Sequence, residues 1–260
     1  MQRPAYPEIP LDGLPRWAAV RDPDGAAITT ESGICTFAEL DRQTDRVAHY
    51  IRRTAGGAGA VVGVASALDP AFAAAYYGAS RSGHTFALIS PGLGEGPLHQ
   101  ICTAAGIEIA FVPAATAALL TALRGRLPRL HTVVVIDAGA APAGTITLPF
   151  ALAGTADDPV VVGGDLDAVT CVRFRAGRAG RPEGVRLTHR SLVAQARKAA
   201  LVHRLGPDSV TLNHFPAYRD IHLNSGVYAG ASQVLCREPD PVASFARTPP
   251  PAASIGLDQG

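Results

Sequence analysis

The sequence predicts an α/β fold in which parallel sheets are flanked by helices. Three observations carry that expectation. Short β-branched runs alternate with alanine-rich helical stretches through residues 60–136. The apolar spacing switches repeatedly between the helical and the strand period. The same grammar resumes after residue 164, where strand-like runs at 168–174, 185–188, 209–214 and 232–236 bracket helical segments at 189–203 and 218–230. Strands that alternate with helices in this way pair in parallel and carry the helices on their faces.

Residues 1–15 form a proline-rich leader. The first helix starts at Thr36-Phe37-Ala38-Glu39, a T-x-x-E box in which the Thr hydroxyl and the Glu carboxylate each satisfy a free amide of the first turn. Phe37, Leu40, Val47 and Ile51 give that helix an apolar stripe, and the charge and glycine of residues 52–59 stop it. Runs at 60–65, 85–89, 108–112 and 131–136 read as strands, and 71–82, 98–105 and 115–123 as helices. Residues 138–164, rich in Ala, Gly, Pro and Asp, break the rhythm. They are expected to link a first sub-domain, 16–137, to a partial second one, 165–238. The tail, 239–260, holds five prolines and little periodicity, and is expected to be loose or laid on the surface.

Composition narrows the function classes. With 47% hydrophobic and 17% charged residues in 260, the chain can bury an ordinary globular core. A net charge of +1 gives no reason to expect nucleic acid or an anionic membrane as partner. No apolar run approaches the ~20 residues of a membrane helix. The four cysteines, Cys35, Cys102, Cys171 and Cys236, are far apart. They read as core packing in a reduced, cytoplasmic protein. No metal-ligand spacing or Gly-x-Ser-x-Gly elbow occurs, so neither a metal nor a cofactor is expected.

Chemistry concentrates in Phe174-Arg175-Ala176-Gly177-Arg178-Ala179-Gly180-Arg181-Pro182-Glu183-Gly184-Val185, followed by Thr188-His189. This run resembles the phosphate loop of the AMP-forming adenylating enzymes, the superfamily of acyl-CoA synthetases, fatty acyl-AMP ligases and the adenylation domains of nonribosomal peptide synthetases. That loop reads aromatic, Thr, Ser, Gly, Ser or Thr, Thr, Gly, any residue, Pro, Lys, Gly, Val, with Thr-His after a short strand. Cys35-Thr36-Phe37-Ala38-Glu39-Leu40 resembles an early motif of the same enzymes. Phe215-Pro216-Ala217-Tyr218-Arg219-Asp220-Ile221-His222-Leu223 is similar to a segment that borders the acyl pocket of the fatty acyl-AMP ligases. The resemblance runs from about residue 12 to 240 and implies the N-terminal domain of the adenylate-forming fold, cut short within its second sub-domain.

The departures from the motif are chemical. The family's hydroxyls and lysine contact ATP phosphates, whereas here Arg175, Ala176, Arg178 and Ala179 stand at the hydroxyl positions and Glu183 at the lysine. A carboxylate there repels a triphosphate, and bulky guanidinium groups reshape the space. Lys198, the chain's single lysine, lies on the helix after the loop and cannot stand in for the family's catalytic lysine. The leading expectation is therefore a pseudoenzyme of secondary metabolism that binds an acyl or carrier-linked ligand, or organises a partner enzyme. The arginines Arg173, Arg175, Arg178, Arg181, Arg186 and Arg190 suit either a solvated surface or an anion such as an acyl or peptidyl carrier protein and its phosphopantetheine.

His189, Phe215, Tyr218 and Arg219 are candidates to line a ligand pocket. Tyr218, Asp220 and His222 could serve an ATP-independent enzyme acting on an acyl thioester, if they converge; otherwise Asp220 supports a helix start. A split acyl-AMP ligase completed by a separate C-terminal chain is a further alternative, opposed by Glu183. An unfinished sheet also needs its edge covered, so a homo-oligomer such as a dimer is expected.

Overall fold

The computed structural model describes residues 8–57, 59–161, 164–177, 181–214 and 218–236. A 3-10 turn at Leu11–Gly13 leads into α1 (Leu14–Arg21), β1 (Ala26–Thr30), β2 (Gly33–Thr36) and α2 (Phe37–Thr54). The parallel run follows: β3 (Val61–Ala65), α3 (Pro70–Arg81), β4 (Thr85–Ile89), α4 (Glu95–Ala105), β5 (Ile107–Val112), α5 (Ala114–Leu123) and β6 (Thr132–Val135). After β7 (Ile146–Thr147) and α6 (Leu148–Leu152), the chain forms β8 (Val169–Ala176), β9 (Pro182–Thr188), α7 (His189–Val202), β10 (Val210–His214), α8 (Asp220–Ala229) and β11 (Ser232–Cys236).

Among the described residues these strands make two sheets. One has the order β7-β6-β5-β3-β4-β8-β9 and is parallel except for β9; the other has the order β10-β11-β1-β2 and is parallel except for β2. The sheets do not divide where the composition shift suggested. β8 and β9, expected in a second unit, extend the first sheet through pairs such as Phe86↔Cys171. β1 instead joins β11 through Ile28↔Gln233. Local periodicity marks a strand, but its partner is set by packing between segments distant in sequence. Residues 138–164, expected as a plain linker, contribute β7 and α6. The tail expected to be loose, 239–260, lies outside the described residues.

Two cores result. One lies between the sheets and is filled by α2, α3 and α8, with Phe72, Tyr76, Tyr77, Phe86 and Tyr218 at its centre. Their rings meet edge to face, Tyr76 on Phe86 at 4.9 Å and Phe72 on Tyr218 at 5.7 Å, the arrangement favoured by aromatic quadrupoles. The other lies under α4 and α5 on the far face of the seven-stranded sheet. All four cysteines are buried and unpaired.

Residues 8–15, the described part of the segment read as a leader, are instead tied into the core. Leu11 and Leu14 are fully buried, and Arg81 donates to the Asp12 carbonyl at 2.5 Å. Arg81 of α3 also meets Asp41 and Asp45 of α2 at 2.6 and 2.9 Å, and Arg16 of α1 bridges the same two carboxylates at 3.0 and 2.6 Å. Two acids and two bases thus neutralise one another where α1, α2 and α3 meet, which makes the buried charges tolerable. α2 begins as its capping box dictates: the Glu39 amide donates to Thr36 Oγ1 at 3.2 Å, and the Thr36 amide to Glu39 Oε2 at 3.0 Å.

Candidate functional site

β8 and β9 form a hairpin that projects from the carboxyl end of the parallel strands, with the phosphate-loop residues at its tip. Gly177 is required there. Its amide donates to the Arg181 carbonyl at 3.0 Å, and a Cβ at 177 would lie 2.4 Å from that oxygen. The pairing continues with Ala176 opposite Pro182, Arg175 opposite Glu183 and Phe174 opposite Gly184. Residues directly opposite in an antiparallel ladder share a face. Arg175 accordingly forks onto Glu183, Nε and NH2 reaching Oε2 at 3.2 and 3.0 Å. Both side chains are more than half exposed, so the pair contributes little to stability. Its consequence is electrostatic: a positive and a negative side chain occupy and cancel each other at the neck of the loop. Arg178, Ala179 and Gly180 lie outside the described residues, and Arg181 is exposed.

The other arginines are mostly matched with acids as well. Arg173 of β8 pairs with Asp220 at the start of α8. Arg190 forks onto Asp167 at 2.8 and 3.1 Å. Arg186 is exposed and, among the described residues, has no acid partner.

Tyr218, Asp220 and His222 are close in sequence but hold separate positions. Tyr218 is buried, and its hydroxyl donates to Gln233 Oε1 at 3.1 Å. Burial pushes its phenol well above its ordinary range, and its carbonyl accepts from the Ser66 hydroxyl. Asp220 takes the Arg173 guanidinium and favours the helix N-terminus by its charge. His222 is exposed at the start of α8, and partial desolvation, with Arg219 and His203 nearby, holds its imidazole below the usual value. Among the described residues no hydrogen bond or ion pair joins the three, so no proton relay connects them. Arg219 is exposed, and Phe215 lies outside the described residues.

His189 opens α7 directly after the Thr188 cap, whose Oγ1 accepts from the Ser191 amide at 3.1 Å. It is buried, and its Nδ1 accepts from the Leu11 amide at 3.1 Å, with Asp12 Oδ1 at 3.6 Å. A ring nitrogen that accepts carries no proton, so the other bears it and the ring is neutral. Burial likewise holds its pKa below the ordinary 6.5. The Thr-His of the motif thus ends the hairpin and anchors the N-terminal segment.

A further concavity is not evident from the sequence. It is a crevice of about 570 Å³ beyond the carboxyl ends of β3, β4, β5 and β6, lined by Ser66, Asp69, Pro91, Pro113, Thr116 and Asp137 among others. In the strand order, β4 lies on one side of β3 and β5 on the other, so the chain reverses direction here. Open α/β sheets place ligands at such switch points. Two helices point their N-termini into it, each capped from within: Asp69 Oδ1 accepts from the Ala71 amide of α3 at 3.0 Å, and Asp137 Oδ1 from the Ala114 amide of α5 at 2.9 Å. Among the described residues that line it, none is Arg, Lys or His. The only local signal, an Asp or Pro after each strand, is common to ordinary turns.

The profile of the AMP-binding enzyme family matches residues 15–248. The chain belongs to that family. Its relatives include 4-coumarate–CoA ligase 3 of Oryza sativa subsp. japonica, 29% identical over 217 residues, which are 79% of this chain and 38% of the ligase. Another is cyclosporin synthetase simA of Tolypocladium inflatum, 28% identical over 238 residues, 84% of this chain and 1% of the synthetase. Among solved structures, apo MbtA of Mycobacterium smegmatis superimposes with a TM-score of 0.80 at 27% identity, covering 93% of this chain and 46% of MbtA. The anthranilate–CoA ligase AuaEII in complex with anthranoyl-AMP gives 0.80 at 19% identity, covering 95% and 48%. The chain therefore spans less than half the length of these relatives.

Proposed function

We propose that this AMP-binding family chain binds but does not adenylate: a pseudoenzyme that holds an acyl or carrier-linked ligand, or a partner enzyme. The Arg175–Glu183 fork carries this reading. It places a carboxylate at the family's lysine position and a guanidinium at its first hydroxyl position. A triphosphate entering there would meet a repelling charge and would have to displace the pair. The residues present therefore do not fit MgATP.

The switch-point crevice is the place assigned to the ligand. Its volume of about 570 Å³ lies within the ~300–1,000 Å³ of small-molecule sites. With no basic residue among the described residues of its walls, it suits a neutral, hydrogen-bonding arm better than a phosphate. The amide-rich arm that links an acyl group to a carrier protein has that chemistry. Likeness to peptide synthetases supports secondary metabolism, and four unpaired cysteines are in keeping with the cytoplasm. No helix among the described residues is long and apolar enough to cross a membrane. Self-association remains part of the proposal, because β9, β10 and β2 are sheet edges with Val185, Val210, Leu212 and Ile34 exposed on them.

The test is calorimetric titration with MgATP, together with carboxylic-acid-dependent pyrophosphate exchange. Neither binding heat nor exchange is expected, and robust exchange would overturn the reading.

A further inference from the structure

On the face of the seven-stranded sheet covered by α4, a second cleft of about 480 Å³ opens between that helix and the hairpin. Register explains its walls. Val172 stands opposite Arg186 and Phe174 opposite Gly184, so these four share one face, away from the Arg175–Glu183 fork. Val172, Phe174 and Pro182 line one side, and Ala104 and Ala105 at the end of α4 the other. Gly184 keeps the aromatic wall close to the backbone: a Cβ there would lie 3.0 Å from Val172 Cγ1 and 3.4 Å from Phe174 Cε1. Small residues on α4 leave the volume open.

Charge distinguishes this cleft from a packing fault. Arg173, Arg175 and Arg190 each face an acid, whereas Arg186, which lines the cleft, has none among the described residues. The cleft has few other donors, and the Thr85 hydroxyl already donates to the Val169 carbonyl at 3.3 Å. A single guanidinium matches one carboxylate in a two-bond fork. A phosphate dianion needs more donors than are present. We infer that this cleft binds a monoanionic amphiphile, a carboxylate carrying a short aliphatic or aryl tail, with Arg186 on the head and Phe174, Val172 and the α4 alanines around the tail. The site shares the hairpin with the phosphate loop but lies on the face away from the Arg175–Glu183 fork and apart from the switch-point crevice, so it stands or falls apart from the proposed function.

The full chain titrated with octanoate, followed by calorimetry and ligand-detected NMR, tests this. One equivalent should bind, and methyl octanoate, which lacks the charge, should bind about tenfold more weakly, the loss of one partly solvated charge-assisted fork. Arg186→Gln should reduce octanoate to the ester's affinity. Ala104→Trp, placed at an exposed position of α4 where the larger side chain is expected to fold, should remove binding of both. Arg190→Gln should leave octanoate affinity unchanged. The inference is overturned if octanoate does not bind at millimolar concentration or if acid and ester bind equally. It is also overturned if folded Arg186→Gln and Ala104→Trp proteins, checked by thermal melting, keep wild-type affinity.

Discussion

Replacing Asp220 by alanine separates a structural carboxylate from a catalytic one. Its side chain is 9% exposed and that of its partner Arg173 is 38% exposed. Fully exposed pairs contribute about 0–1 kcal/mol, and removing one member of a buried pair costs about 3–5 kcal/mol. A pair with one buried and one half-exposed member falls between. Loss of an acid from the first turn of α8 adds about 0.5 kcal/mol, so Asp220→Ala should cost about 2–3 kcal/mol. At about 2–4 °C per kcal/mol for a chain of this size, the thermal midpoint should fall by roughly 5–10 °C. The assay is calorimetric melting at pH 7 of the wild type, Asp220→Ala, Arg173→Gln and the double variant. The two changes should be coupled by about 1–2 kcal/mol. A coupling below about 0.5 kcal/mol, or an unchanged midpoint, would show that the pair does not anchor α8 and would return Asp220 to the list of groups free for acid–base work.

Two further outcomes follow from other parts of the fold. Because burial holds His189 below its ordinary 6.5, the unfolded chain takes up this proton first on acidification. Its contribution to stability is complete above about pH 6.5 and declines as the pH falls through that value. Thermal midpoints from pH 8 to 5.5 should show this decline, and His189→Gln should flatten it; an equal slope in the variant would contradict the neutral Nδ1 acceptor. A Cβ on Gly78 would lie 2.5 Å from Val47 Cγ1 and 3.1 Å from the Thr44 carbonyl. Overpacking of about 1–3 kcal/mol then outweighs the ~1 kcal/mol gain in helix propensity, so Gly78→Ala should lower the midpoint. Gly96→Ala, with nothing within 4 Å, should hold or raise it; equal effects of the two would contradict the close α2–α3 contact.

Period and punctuation made most elements legible. The strands at β3 to β6 and β8 to β11 and the helices between them follow from runs of residues that are neighbours in sequence. The Thr36 capping box was equally readable, because its donors and acceptors lie within one turn. β1 and β2 are not marked by the sequence: Ala-Ala-Ile-Thr-Thr and Gly-Ile-Cys-Thr are short, β1 is paired with β11, some 200 residues away, and β2 adds to the sheet only through β1. Leu11 and Leu14 looked like part of a proline-rich leader because nothing local shows the Arg81–Asp41–Asp45–Arg16 cluster that holds them. In the loop, Arg175 and Glu183 lie at matching distances from the hairpin turn, so their pairing could have been read once the turn was placed at Gly177–Arg181. Arg173 with Asp220 could not, because 47 residues separate them and only tertiary packing brings them together. The switch-point crevice is a property of strand order, which the sequence does not write down locally.

The neck of the hairpin decides whether this chain can hold a nucleotide, and one comparison tests that most directly. Calorimetric titration with MgATP should give no binding heat for the wild-type chain. A variant carrying the family's own loop residues, Arg175→Thr, Ala176→Ser, Arg178→Ser, Ala179→Thr and Glu183→Lys, should gain measurable binding, because it removes the repelling carboxylate and restores a lysine and hydroxyl donors. Wild-type binding of MgATP at micromolar affinity, with carboxylate-dependent pyrophosphate exchange, would show that the Arg175–Glu183 pair does not close the site to nucleotide.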